Sequence, residues 1–213
     1  KYLSRLNVEK INQFSWEFID GATYRGTVCS KAGILLQSLR NHLGEKRIMD
    51  FFRFYADKFK FRHPTTSDFI KTFNHFMGED LSWVFEQFVN GNINLDHSVY
   101  TVKSTRINRH PEKYRNEIIF LRKEGYFPVE LLIKLKDGKE IKYYWKEREN
   151  WKKIILENDS PLEYAAIDPK FKILLDKNIF NNSKAGKISS DAITKIAVKF
   201  GFYFQNLLSF LFL

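Results

Sequence analysis

The chemistry open to this chain near neutral pH rests on five histidines and a single cysteine. A zinc site on a helix needs two histidines at i and i+4, so that both rings leave the same face one turn apart. His42, His63, His75, His97 and His110 contain no such pair. Cys29 has no second cysteine to share a metal or a disulfide with. A nucleophilic cysteine also needs a nearby base and a third group to orient that base. No such arrangement is readable around Cys29. The sequence therefore predicts no metal site and no covalent catalytic centre made by this chain alone.

The chain has 213 residues, enough for one large domain or two small ones. Apolar residues make up 44 % and aromatics 16 %, so a substantial core is expected rather than disorder. The formal charge is +10, from 35 basic and 25 acidic residues, which raises nucleic acid as a partner. The lysines, however, are spread along the chain and mostly alternate with apolar residues, as solvated faces require. Nucleic acid is accordingly not expected as a partner. The chain begins with Lys1 rather than Met and shows no signal peptide, which reads as a truncated N-terminus. The sequon at Asn181-Asn182-Ser183 is too short a pattern to carry weight.

Three regions differ in hydrophobic period. Residues 1–95 read as helical. Ile34, Leu35, Ser38, Leu39 and His42 share a helical face, with Val28 and Lys31 one turn earlier and Gly44 as a stop. Ile48, Phe51, Phe52, Tyr55 and Phe59 form the next face. Thr65 or Thr66 caps a helix bearing Phe69, Ile70, Phe73 and Phe76, and Gly78 closes it. Asp80 caps a last helix bearing Leu81, Val84, Phe85 and Phe88, which Asn90-Gly91 ends. From about residue 97 the period becomes two. Val99, Thr101 and Lys103 are read on one side of a strand. Ile118–Leu121 form a continuous apolar run, and Val129–Leu135 pair with 139–145 through a two-residue Asp137-Gly138 turn. Segments 151–156, 164–167 and 173–176 complete about seven strands, the number expected of an antiparallel sandwich. Residues 192–213 are an apolar tail. Its 14-residue run after Lys199 falls short of the roughly 20 residues that span a bilayer, so an interfacial or docked helix fits as well as a span.

The stretch Tyr24–Gly91 (YRGTVCSKAGILLQSLRNHLGEKRIMDFFRFYADKFKFRHPTTSDFIKTFNHFMGEDLSWVFEQFVNG) resembles the last part of the catalytic domain of the aminopeptidase N family, zinc metallopeptidases of the gluzincin type. Phe127-Pro128-Val129, Lys136-Asp137-Gly138, Trp145 to Trp151, Ile167-Asp168-Pro169 and Leu174 to Asn178 are similar to landmarks of the small sandwich that follows in bacterial members. Phe204-Gln205-Asn206-Leu207-Leu208 resembles their apolar C-terminal helix. The resemblance implies an α+β multidomain arrangement. Residues 1–95 would be the helical end of the catalytic domain, 96–184 an Ig-like antiparallel β-sandwich, and 185–213 an apolar tail helix. The family's zinc motif, H-E-x-x-H with a distant Glu, is not in the chain. Zinc is thus implied for a longer parent and not for this chain, which by itself should be inert.

The family also carries Tyr-x-Lys-Gly at a helix start, whose phenol donates to the oxyanion of the tetrahedral intermediate. Aligning on Leu39-Arg40 and Leu43-Gly44 puts Lys31 on the family Lys, Ala32 on its Gly and Cys29 on its Tyr. A thiol is a weaker donor on a shorter side chain. Tyr24 is the nearest alternative phenol, but five residues on an α-helix turn it about 140° away from Cys29. Otherwise Tyr24 packs at a helix entrance and Cys29 is a small buried apolar residue, the commonest fate of a free cysteine. Three roles are open. The chain is part of a peptide-hydrolysing zinc enzyme, or of a non-catalytic peptide-binding relative, or it contacts a membrane surface through residues 192–213 and its lysines.

Overall fold

A computed structural model describes residues 9–186. Residues 9–20, expected to be helical, hold only a 3-10 turn at Ser15–Glu17. Five helices follow: α1 Gly21–Arg25, α2 Ala32–Leu43, α3 Glu45–Phe59, α4 Thr66–Met77 and α5 Ser82–Phe85. Two stretches of wider π-helix, Gly26–Lys31 and Glu86–Asn90, join α1 to α2 and extend α5. Thr65 caps α4 as expected. Its hydroxyl accepts from the Asp68 N–H (3.2 Å), while the Asp68 carboxylate accepts from the Thr65 N–H (2.9 Å). Gly78 then stops α4 in the left-handed conformation (φ 66°), where a side chain would be strained. Asp80 serves α5 from one residue outside the cap: its carboxylate accepts the Ser82 N–H at 3.0 Å.

Seven strands form two antiparallel sheets, ordered β1-β2-β5 and β4-β3-β6-β7. They are β1 Asp96–Arg109, β2 Glu112–Glu124, β3 Val129–Leu135, β4 Glu140–Trp145, β5 Trp151–Asn158, β6 Leu162–Ile167 and β7 Ser183–Ala185. Three expectations shift in detail. Residues 173–176 are not a strand but contribute an isolated bridge, Leu95 to Asp176, and the last strand is the polar β7. The β3–β4 loop has three residues, not two. Leu135 pairs with Lys139 (N to O 3.0 Å) and Gly138 takes a positive φ of 90°, which asks for glycine. In β1 the pairing slips between Val99 and Thr101, so Tyr100 is an extra residue. The inward face therefore passes from Val99 to Val102 and Ser104, and the expected Val99-Thr101-Lys103 face does not persist.

One apolar cluster runs through helices and sheets alike, from Leu35 and Phe51 through Phe88 and Leu95 to Phe120, Leu131 and Ile167. At its helical end Phe51 meets Phe73 edge-on at 4.8 Å and Phe69 at 5.4 Å, the geometry aromatic quadrupoles favour. Polar ties cross between the halves. The Gln87 side chain accepts from the Tyr126 N–H (2.8 Å), and the Ser38 hydroxyl accepts from the Leu174 N–H (3.0 Å). Among the described residues no helix is long and apolar enough to cross a membrane. The apolar tail 192–213, with the helix and membrane contact expected of it, lies outside the described residues.

Candidate functional site

The two residues that the sequence singles out, Tyr24 and Cys29, lie on the entry to α2. Asp20 caps α1 by accepting the Thr23 N–H. An α-helix would continue, but Gly26-Thr27-Val28 combines glycine with two β-branched residues, all poor helix formers. The chain widens there into i→i+5 turns. Along this mix of α and π turns the buried positions Thr23, Thr27, Lys31 and Leu35 recur every four residues. Five residues then make close to one turn instead of about 1.4, and the angle between Tyr24 and Cys29 falls below the 140° of a regular helix.

Both side chains reach the surface. Cys29 is exposed, which corrects the expectation of a buried apolar cysteine; burial on this stretch is taken by Thr27 and Lys31 instead. Tyr24 packs edge-to-face on Phe18 at 5.1 Å, as a residue at a helix entrance should, yet remains 39 % exposed. Lys31, placed one turn before Leu35 on the helical face, is fully buried. Its ammonium donates to the Glu9 carbonyl at 3.1 Å, and burial pushes its pKa down to about 8.

Through that bond Lys31 holds down the segment before α1. Glu9 is its organiser: the carboxylate accepts from the Gln13 side chain (3.0 Å) and from the Ile19 N–H (3.2 Å). Asn12 ties the same segment to the second π-turn, its N–H donating to the Val89 carbonyl at 3.0 Å. An open cleft of about 590 Å³ lies along this segment, lined by Lys10, Asn12, Gln13, Phe14 and Glu17. Phe14 and Trp16 stack in parallel at 4.5 Å and are 62 % and 76 % exposed. Ile19 and Tyr24, nearby in sequence, are exposed as well among the described residues. Sequence reasoning missed the Asp20 cap, although the Asp-Gly-Ala-Thr run was a readable signal. It placed Lys31 on the helical face but did not foresee its bond to Glu9.

The site offers a phenol and a thiol as surface donors beside apolar rings. It does not offer a metal centre: among the described residues no three His, Cys, Asp or Glu side chains are grouped to hold an ion, so these residues do not fit zinc. His63, His75 and His110 are exposed and scattered. His97 is buried, with Nδ1 at 3.6 Å from the Asp176 carboxylate. His42 ends α2 against the sheets, its ring edge-on to Phe127 at 5.2 Å.

No family model matches the chain, and no curated protein matches it. Among solved structures it is similar to aminopeptidase A of Legionella pneumophila, crystallised with aspartic acid, at 14 % identity and a TM-score of 0.45. The match covers 80 % of this chain and 18 % of that one, so the chain spans less than a fifth of the aminopeptidase. A likeness this distant carries no argument about mechanism.

Proposed function

We propose that this chain is the C-terminal part of a zinc-dependent, aminopeptidase-like metallopeptidase of bacterial type. The parent hydrolyses the N-terminal peptide bond of a peptide with metal-activated water, and the chain alone is inactive. Zinc and the pocket for the peptide's terminal amine belong to the rest of the parent. The helices up to residue 95 then form the end of the catalytic domain, 96–184 the Ig-like sandwich, and 185–213 the apolar tail helix. The observation that carries this reading is the first π-turn: Cys29, aligned with the family's oxyanion-donating Tyr, is exposed, and the Tyr24 phenol five residues earlier also reaches the surface. Wide helical turns of this kind recur at functional sites. A structural cysteine would be packed away.

The thiol itself favours a second reading, a non-catalytic peptide-binding relative, because it is a poor oxyanion donor. Hydrolysis of an aminoacyl chromogenic amide by the full-length parent, with and without zinc, separates the two. Activity that rises strongly in Cys29→Tyr supports the enzyme and the alignment. Absence of activity in both forms, with zinc bound, overturns it in favour of the binding relative. Liposome flotation with and without residues 192–213 tests the membrane contact, which fails if both forms stay in solution.

A further inference from the structure

A half-open polar cavity of about 300 Å³ lies between the end of α2 and the sheet β4-β3-β6-β7, to which the proposed activity assigns no role. His42, Pro128, Val129, Glu130, Tyr144 and Lys172 line it. Glu130 and Tyr144 face each other directly in the β3–β4 register, so their side chains leave the same face of the sheet as neighbours. The Tyr144 hydroxyl lies 3.4 Å from Nε2 of His42, whose ring stacks over the tyrosine at 6.3 Å.

The carboxylates there are not equivalent. Asp168 is spent on the backbone: it accepts the N–H of Lys172 at 3.0 Å and of Ile173 at 2.7 Å. Glu130 has no such use. Its Oε1 is shielded from solvent and accepts no hydrogen bond among the described residues. Shielded carboxylate oxygens without a donor are costly and rare in folded proteins. His42 adds no positive charge to answer it: burial, helped by Lys172 and opposed by Glu79, lowers its pKa and keeps the ring neutral. Glu130 and Asp168 thus stand against the single cation of Lys172.

We propose that this cavity binds a small ligand bearing a primary ammonium group, with Glu130 as the anionic anchor and Tyr144 as second acceptor. An ammonium carries three donors and no acceptor, which matches the Glu130 carboxylate beside a phenol that can accept; Oε1 itself is closed to solvent, so the carboxylate turns to meet the amine. Pro128 and Val129 give a short apolar floor for a carbon stem, and the volume holds a short-chain amine.

The test is an NMR titration of the full chain with n-butylammonium chloride, reading the ring signals of Tyr144 and His42 at constant ionic strength and pH 7. Both signals should shift and saturate, with a dissociation constant about tenfold larger in Glu130→Gln, as loss of one charge-assisted hydrogen bond implies. Sodium n-butyrate should leave them in place. Shifts that never saturate, or an equal dissociation constant in Glu130→Gln, overturn the site. Should Glu130→Gln lose its native circular dichroism, Tyr144→Phe decides: weaker binding supports the site and unchanged binding overturns it.

Discussion

Replacing Lys31 with methionine should stabilise the protein at neutral pH and destabilise it in strong alkali. Lys31 is fully buried, and its pKa falls from 10.5 in the open chain to about 8 in the fold. At about 1.4 kcal/mol per pH unit, that gap is a penalty of about 3 kcal/mol for keeping the ammonium inside. The sign follows from proton counting. Between pH 8 and 10.5 the unfolded chain holds a proton that the folded one has released, so stability rises with pH through that window. Below it the penalty is complete, and above it the penalty is gone. Methionine has similar length and helix propensity but no charge. It also loses the donor to the Glu9 carbonyl, about 1 kcal/mol. The net expectation is a gain of about 2 kcal/mol at pH 7 that becomes a loss of about 1 kcal/mol beyond pH 10.5. Urea unfolding of both forms at pH 7, 9 and 10.5 would measure it, with unchanged slopes as the control. A difference that keeps one sign and size at every pH would refute the reasoning, because Lys31 would then be acting through packing or its hydrogen bond alone.

Two further outcomes follow from buried groups. Burial would raise Asp176, but hydrogen bonds from His97, from the Asn182 side chain and from the Asn178 and His97 N–H groups hold its pKa below the ordinary 3.8. The stability this brings is complete above that value and is lost as pH falls through the lower folded one. Asp176→Asn should therefore be weaker at pH 7 but show a flatter decline in urea midpoint below about pH 4. Phe51 is fully buried against the rings of Phe52, Tyr55, Phe69, Phe73 and Phe76. Phe51→Ala should cost about 3–5 kcal/mol, read from the same denaturation curves.

The elements that the sequence made legible are those whose period, caps and length agree. In α3 and α4 the apolar spacing matches 3.6 residues, and Thr65 and Gly78 bracket α4. In β3 and β4 the alternation is long enough to fix both strands, although the exact loop depended on where Gly138 turned positive. The misses have local causes. Counting back from Leu39 with an α-helical ruler misjudges how Tyr24 and Cys29 relate, because the π-turn changes the ruler between them. β7 is three short, exposed residues whose strand signal is its partner, β6. The partner that takes the buried Lys31 ammonium, the Glu9 carbonyl, lies twenty-two residues away. The cavity at Glu130 joins a helix end to a cross-strand pair some ninety residues later, and such a meeting exists only once the register is set.

The apolar cluster that passes unbroken from Phe51 to Ile167 bears on how this polypeptide can be handed on, in evolution or in the laboratory. Residue 95 looks like a seam, where helix gives way to strand. Yet Leu95 is fully buried and its carbonyl receives the N–H of Lys177 at 2.9 Å. A recombination junction or a protease cut there would leave two half-cores, each with raw apolar surface and an orphaned backbone partner. A chimera that swaps only the sheets must bring its own version of the surface around Phe88 and Phe127.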